Sequence, residues 1–464
     1  MNRREFLLAP LAARVAAPPR RPNIIIFLVD DLGWADVGCD GSTFYETPNV
    51  DRLASQGVRF TNGYAACPVC SPTRASIMTG KYPARLHLTD WIPGRRQWPT
   101  SKLLAPQFEQ QLALDETTIA EMLKPLGYTS AAIGKWHLGG GSYLPEHQGF
   151  DLNIGGTERG SPPSYFPPYR IPGLEPRSER DYLTDNLTAR AEQFIESNRS
   201  KPFFLYLSHF AVHLPIGAKP EVAAKYRAKK VTGEQKHPEY AAMVEGMDDS
   251  MGRILAKLDE LGIANDTVIF YLSDNGGLRY EGKSTAPITS NAPLRAGKGH
   301  LYEGGIRVPT IVRWPGKLPA GVVNDTPVCS VDLLPTIAEM TGAKRGVVDG
   351  VSLTPALRKG GALKRDALYW HYPHYSNQGG VPGGAVRQGD WKLIEFYEDG
   401  HVELYNLRDD PGERNNLAPK LKQKAAELRK KLDDWRRSVN AVMPAVNPKY
   451  DPATADQGLT GKET

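Results

Sequence analysis

The chain has 464 residues, 40 % of them hydrophobic, which supplies apolar side chain for a large core and excludes disorder throughout. A formal net charge of +5 permits an anionic substrate, but with no long basic run it gives no ground for a nucleic-acid partner. Four cysteines, Cys39, Cys67, Cys70 and Cys329, are too few for a disulfide framework at this length.

Residues Met1-Asn2-Arg3-Arg4-Glu5-Phe6-Leu7-Leu8 and the apolar stretch to Ala17 resemble a twin-arginine export signal, which predicts a periplasmic protein with residues 1–19 as leader. Pro10 and Arg14 interrupt the apolar run, so a frayed cytosolic terminus is the competing reading. No later stretch reaches the roughly 18 to 20 apolar residues that a membrane span needs.

Asn23 to Val29, NIIIFLV, is a continuous apolar run of strand length, the pattern of a parallel-sheet strand buried on both faces. Thr47-Pro48 starts a helix with Val50 and Leu53 on its apolar face, and Gly57 closes it before Val58-Arg59-Phe60. Thr117 to Leu123 reads as a helix, Thr129 to Ile133 as a strand, Thr184 to Glu196 as a helix and Phe203 to Leu207 as a strand. Met243, Met247, Met251, Ile254, Leu258 and Leu261 recur at helical spacing up to Gly262, and Thr267 to Leu272 forms the next strand. The methionine stripe is core. Such alternation predicts an α/β sandwich with helices on both faces of a mainly parallel sheet over residues 20–345. Residues 346–440 change pattern: Trp391 to Tyr397 and Val402 to Leu407 form a hairpin across Glu398-Asp399-Gly400-His401, and Leu421 to Val439 a closing amphipathic helix. Residues 441–464 read as a loose polar tail.

Polar clusters follow the predicted strands: Asp30-Asp31, then Lys135 and His137, then His213, then Asp274-Asn275. In an open α/β sheet ligands bind outside the carboxyl ends of the strands, so these side chains meet in one crevice. Adjacent carboxylates repel, and the simplest compensation is a cation; hard oxygen donors without His or Cys favour calcium over magnesium or zinc. Each pair taken alone also reads as a loop cap. His209 competes with His213, which precedes x-Pro.

Cys67-Pro68-Val69-Cys70-Ser71-Pro72-Thr73-Arg74 begins as C-x-x-C and so admits a redox pair or half a zinc site, although no second C-x-x-C and no thioredoxin-like unit accompany it. The stretch from Cys70 to Gly80, CSPTRASIMTG, also resembles the sulfatase signature C-x-P-x-R with its downstream TG. LVDDLG, GKWHLG, SDNGG, GKGHLYEGGIRVP, GDWKLI and ELYNLRDDPGERNNL follow in the order of that family, so the resemblance to type I, arylsulfatase-like sulfatases covers nearly the whole chain. It implies an alkaline-phosphatase-like sandwich, with a large mixed, mainly parallel sheet flanked by helices and a small C-terminal antiparallel-sheet subdomain.

The resemblance further implies that a separate maturation enzyme oxidises Cys70 to formylglycine. Asp30, Asp31, Asp274 and Asn275, with position 70, would hold one calcium ion, and Arg74, Lys135, His137, His213 and Lys298 would line the sulfate pocket. The formylglycine hydrate carries two hydroxyls: one attacks sulfur while His213 or Lys298 protonates the leaving alcohol, and His137 deprotonates the other so that sulfate departs. The expected substrate is a sulfated carbohydrate, read by Arg95, Arg96, Arg159, His371, His374 or Arg387 from loops over the crevice. The alternatives are a phosphatase or phosphodiesterase of the same superfamily, disfavoured by Asn275 where a histidine is usual, and a non-catalytic sulfoglycan-binding protein.

Overall fold

The structure is a computed structural model and describes residues 21–97, 100–280, 287–358 and 361–453. The leader expected over residues 1–19 lies outside the described residues. In chain order the strands are β1 (Asn23–Val29), β2 (Val58–Phe60), β3 (Gly63–Tyr64), β4 (Leu103–Leu104), β5 (Thr129–Gly134) and β6 (Leu152–Ile154). They continue with β7 (Phe203–Ser208), β8 (Thr267–Ser273), β9 (Thr310–Arg313), β10 (Val322–Asn324) and β11 (Val328–Cys329). The last are β12 (Leu368–Tyr372), β13 (Gly383–Gln388), β14 (Trp391–Phe396), β15 (Val402–Asn406) and β16 (Ala445–Val446).

Eight strands form the central sheet in the order β10-β2-β9-β8-β1-β7-β5-β6, parallel except where β9 pairs β2 and β8. Every residue of β1 is buried, as its uninterrupted apolar run requires of a strand covered on both faces. Ile25, Phe27 and Val29 face one core, which takes in Met243, Met247, Met251, Ile254 and Leu258 of the Pro238–Glu260 helix. Ile24, Ile26 and Leu28 face the other, against Ile77 and Met78 of the Cys70–Thr79 helix and Leu334 and Ile337 of the Leu333–Thr341 helix.

The registers decide what meets at the sheet edge. Val29 lies opposite Ser273, Leu28 opposite Ser208, and Gly134 opposite Ser208, so the residues after β1, β5, β7 and β8 emerge side by side. Backbone pairing carries on past the strands: Asp274 N donates to Val29 O (3.2 Å), and Lys135 N to Ser208 O (2.8 Å).

A second, antiparallel sheet β12-β13-β14-β15 packs against the Lys422–Ser438 helix through Leu428, Leu432 and Trp435, whose ring stacks on Tyr369 at 4.9 Å. Gly400, at φ +73°, makes the hairpin turn. A buried ionic cluster ties this sheet to the main body: Lys392 Nζ reaches Glu303 and Glu413 at 2.9 Å each, and Glu303 also accepts from Arg307 Nε (2.6 Å). The tail departs from expectation. Val446 and Ala445 pair with Leu103 and Leu104, and buried Asn447 donates to Ser101 O (2.7 Å), because backbone groups of the 101–104 segment need partners that a polar tail can supply.

Candidate active site

Arg74 occupies the second turn of the Cys70–Thr79 helix and is fully buried. Its Nε and Nη2 hold Asp274 Oδ2 at 2.9 and 2.7 Å, and its Nη1 donates to Ser208 Oγ (2.6 Å) and Lys135 O (3.0 Å). One guanidinium thereby locks three strand ends together. Lys135 Nζ donates to Asp30 Oδ2 (2.7 Å), and Lys298 Nζ to Asp31 Oδ2 (2.8 Å). Asn275 Nδ2 donates to Asp31 Oδ1 (2.8 Å). Asp31 and His137 sit at φ +61° and +59°, left-handed conformations for residues with side chains, held by contacts to neighbouring strand ends.

His137 Nδ1 lies 3.4 Å from Cys70 Sγ, and its Nε2 lies 2.6 Å from Ile92 O. A carbonyl only accepts, so the ring carries its proton on Nε2 and turns a lone pair on Nδ1 toward position 70. Burial, reinforced by Lys135, lowers the His137 pKa well below the ordinary range, which keeps that lone pair free. His213 is pinned by Nδ1 to Leu214 O (2.8 Å), and its Nε2 lies 3.6 Å from Asp31 Oδ2. Burial and then Lys298 lower its pKa to about 3. The Cys70 thiol is raised by burial against the pull of Lys135 and Lys298, so as a thiol it stays protonated and weakly nucleophilic.

Three carboxylates crowd the floor. Burial pushes Asp30 up to about 8 despite Lys135, and Asp274 adds to the rise. Burial works against ionisation of Asp31 and Asp274 too, yet Lys298 holds the first, and Arg74 the second, below the usual carboxylate range. Asp30 Oδ1 and Asn275 Oδ1 are buried without a hydrogen-bond partner. Two orphaned hard oxygens beside Asp31 and Asp274 are donors that suit a calcium ion. Among the described residues, the group of three acidic, His or Cys side chains close enough to share an ion is Asp30, Asp31 and His213. Cys67 stands apart from it in the core, so the zinc half-site reading gains nothing.

Above this floor opens a cavity of about 270 Å3, lined by Cys70, His137, His213 and Lys298 and by walls from Trp91-Ile92-Pro93, Gly160-Ser161, Leu278 and Asn377-Gln378. The family profile described as Sulfatase matches residues 22–343, and one described as N-sulphoglucosamine sulphohydrolase, C-terminal, matches residues 296–438. The chain belongs to the sulfatase family. Its members are sulfuric ester hydrolases, and the fold is that of the alkaline phosphatase superfamily. The steryl-sulfatase of Homo sapiens is 31 % identical over 93 % of this chain and 90 % of its own length. The N-acetylgalactosamine-6-sulfatase of Mus musculus is 33 % identical over 79 % of this chain and 72 % of its own. The crystal structure of Ps i-CgsB in complex with k-i-k-neocarrahexaose superposes with a TM-score of 0.77 at 30 % identity, covering 90 % of this chain and 93 % of that one.

All ten residues expected at the sulfatase site, from Asp30 to Lys298, meet at this one edge of the sheet. The competitor His209 does not: it is buried below, with Nε2 2.8 Å from Ser250 Oγ. Three expected substrate readers are corrected. His371 is buried between Tyr397 Oη (2.8 Å) and Val442 O (3.0 Å), His374 lies against Thr89 Oγ1 (2.8 Å), and Arg387 donates to Gly389 O (3.0 Å). None lines the cavity, because β12, the segment that follows it and β13 turn them into packed interfaces. The wall residues Trp91, Ser161 and Gln378 carry no sequence signal of their own; only their juxtaposition marks them. The carbonyl of Ile92, which sets the His137 tautomer, is a backbone group that side-chain identity cannot reveal.

Proposed function

We propose that this sulfatase hydrolyses sulfate esters of a sulfated carbohydrate, with Cys70 oxidised by a maturation enzyme to formylglycine and one calcium ion held by Asp30, Asp31, Asp274, Asn275 and position 70. When present, the formylglycine hydrate supplies two hydroxyls on one carbon, and the ion supplies Lewis-acid polarisation of the sulfate. The observation that carries the reading is the lone pair of His137 Nδ1 aimed at position 70 from 3.4 Å. Placed there, His137 takes the proton whose removal lets sulfate leave.

The remaining roles rest on charge. Asp30, Asp31 and Asp274 balance Arg74, Lys135 and Lys298 one for one, so a divalent ion leaves the pocket net positive for an anionic ester. The Cys70–Thr79 helix starts at position 70, and Val69 offers no side-chain cap, so the first amides of the helix favour an anion there. Lys298 and His213 flank Asp31 on the pocket side; Lys298 carries the proton for the leaving alcohol, because neutral His213 keeps its one proton on Nδ1 toward Leu214 O and offers an acceptor at Nε2. Fixed donors of this kind are worth about 2 to 4 kcal/mol each in the transition state. Residues 20–345 form the catalytic domain, 346–440 the C-terminal subdomain, and residues 1–19 deliver the chain to the periplasm. Among the described residues no helix is long and apolar enough to cross a membrane.

The test is expression with a formylglycine-generating enzyme, peptide mass spectrometry at position 70 and sulfate release with and without a calcium chelator. Full activity from an unmodified thiol, or a requirement for zinc, would sink the reading.

A further inference from the structure

The cavity of about 270 Å3 opens to solvent above the reaction centre and has room for a sulfate and the ring that carries it. Trp91, Ile92, Pro93, Leu214 and Leu278 make its walls largely apolar. One side differs. The turn Ser376–Gly380 joins β12 to β13 and closes through Ser376 N to Gly380 O (2.8 Å). It lies directly on Gly299, the neighbour of Lys298, where φ is +83° and an added Cβ would sit 1.9 Å from Ser376 Oγ. That close approach seats the second sheet's loop against the reaction centre and carries Gln378 into the cavity wall.

The Gln378 side chain is held at one end. Ser376 Oγ donates to Gln378 Oε1 (2.6 Å) and accepts from Gln378 N (3.1 Å). With the carbonyl pinned, the amide nitrogen is left as a pair of donors with no protein partner among the described residues, on a half-buried residue that lines the cavity. An immobilised donor pair in the same cavity as apolar wall residues suits a pyranose ring, which has one apolar face and hydroxyl oxygens around its edge.

We propose that Gln378 is a specificity-determining residue that hydrogen-bonds a hydroxyl of the leaving sugar, making the preferred substrate a monosulfated pyranose ring over an aryl or steryl ester. This rests on the sulfatase reading above. The test measures kcat/KM of calcium-loaded, formylglycine-bearing enzyme on a panel of monosulfated hexoses and on para-nitrophenyl sulfate. In Gln378→Leu the sugar-to-aryl ratio of kcat/KM is expected to fall roughly tenfold, carried by the KM for the sugar, the size of one well-made hydrogen bond. Ser376→Ala, which unpins the amide without removing it, is expected to lower the ratio less. An unchanged ratio in Gln378→Leu, whether both activities fall or neither does, overturns the proposal, as does a wild type that cleaves the aryl ester but no sugar of the panel. A wild type that releases sulfate from neither the aryl ester nor any sugar of the panel, despite formylglycine at position 70, overturns the sulfatase reading instead.

Discussion

Two of the buried ionic clusters among the described residues differ in what surrounds them. At the sheet edge, Asp30, Asp31 and Asp274 face Arg74, Lys135 and Lys298, yet Asp30 Oδ1, 3.6 Å from Arg74 Nη2, and Asn275 Oδ1 make no hydrogen bond, and the group floors a cavity. Under the second sheet, Lys392 bridges Glu303 and Glu413, and Glu303 is closed off by Arg307 and the Tyr64 hydroxyl (2.7 Å). Burying charge costs several kcal/mol per ion unless it is paired, and Lys392 pairs both carboxylates of this joint between two layers, although Glu413 Oε1 makes no hydrogen bond there. The first sits at strand ends, directly below a cavity lined by Cys70, His137, His213 and Lys298. Both clusters keep a buried oxygen without a hydrogen bond, so burial and composition do not assign their roles; the cavity above the first one does.

The comparison is broken most severely at position 70. Cys70→Ala is expected to abolish sulfate release while the unfolding transition stays in place, whereas Cys67→Ala, in the core, keeps catalysis and loses some stability. Equal loss of activity in both variants would restore the redox or metal pair.

Asp274→Ala comes next. It removes the carboxylate that Arg74 grips with two nitrogens and leaves that guanidinium buried without its main partner, so calcium binding and activity are both expected to disappear. Titration calorimetry with calcium on the folded variant is the measurement, and ordinary calcium affinity would count against the assigned donors.

His137→Ala divides the reaction. General-base assistance is worth on the order of 10²- to 10⁴-fold, and its loss is expected to leave the first half intact. Mixing with substrate should give a burst of alcohol close to one per active site, then a stall with sulfate retained on the peptide carrying position 70. Slow alcohol release with nothing retained would show that His137 serves the first half.

The smallest catalytic effect is expected from the other cluster. Lys392→Met leaves two buried carboxylates facing each other, so urea unfolding should report a loss of about 3 kcal/mol while kcat per folded molecule holds. A lower kcat at unchanged stability would make that cluster part of the site.

Much of the site was legible before the fold because its residues stand directly after apolar strand runs, and a parallel sheet delivers strand ends to one edge whatever the loops do. The choice of His213 over His209 does not follow from that logic alone, since His209 is the first residue past β7 and yet turns back under the sheet. Prediction failed where charge was used as a sign of exposure. His371, His374 and Arg387 look like surface readers but fill packed interfaces, and the tail around Asn447 looks loose but completes the 101–104 segment.

Residue type and strand-period patterning, both local properties, determined the layered α/β core and the strand-end carboxylates, and the resemblance of CSPTRASIMTG to the sulfatase signature singled out position 70. Tertiary structure alone decided the rest: the tautomer of His137, set by a carbonyl 45 positions away, and the arrival of Gln378 beside Lys298 through the contact of Ser376 with Gly299. Those depend on which distant backbone and side-chain atoms come within hydrogen-bonding distance, and no pattern along the chain encodes that directly.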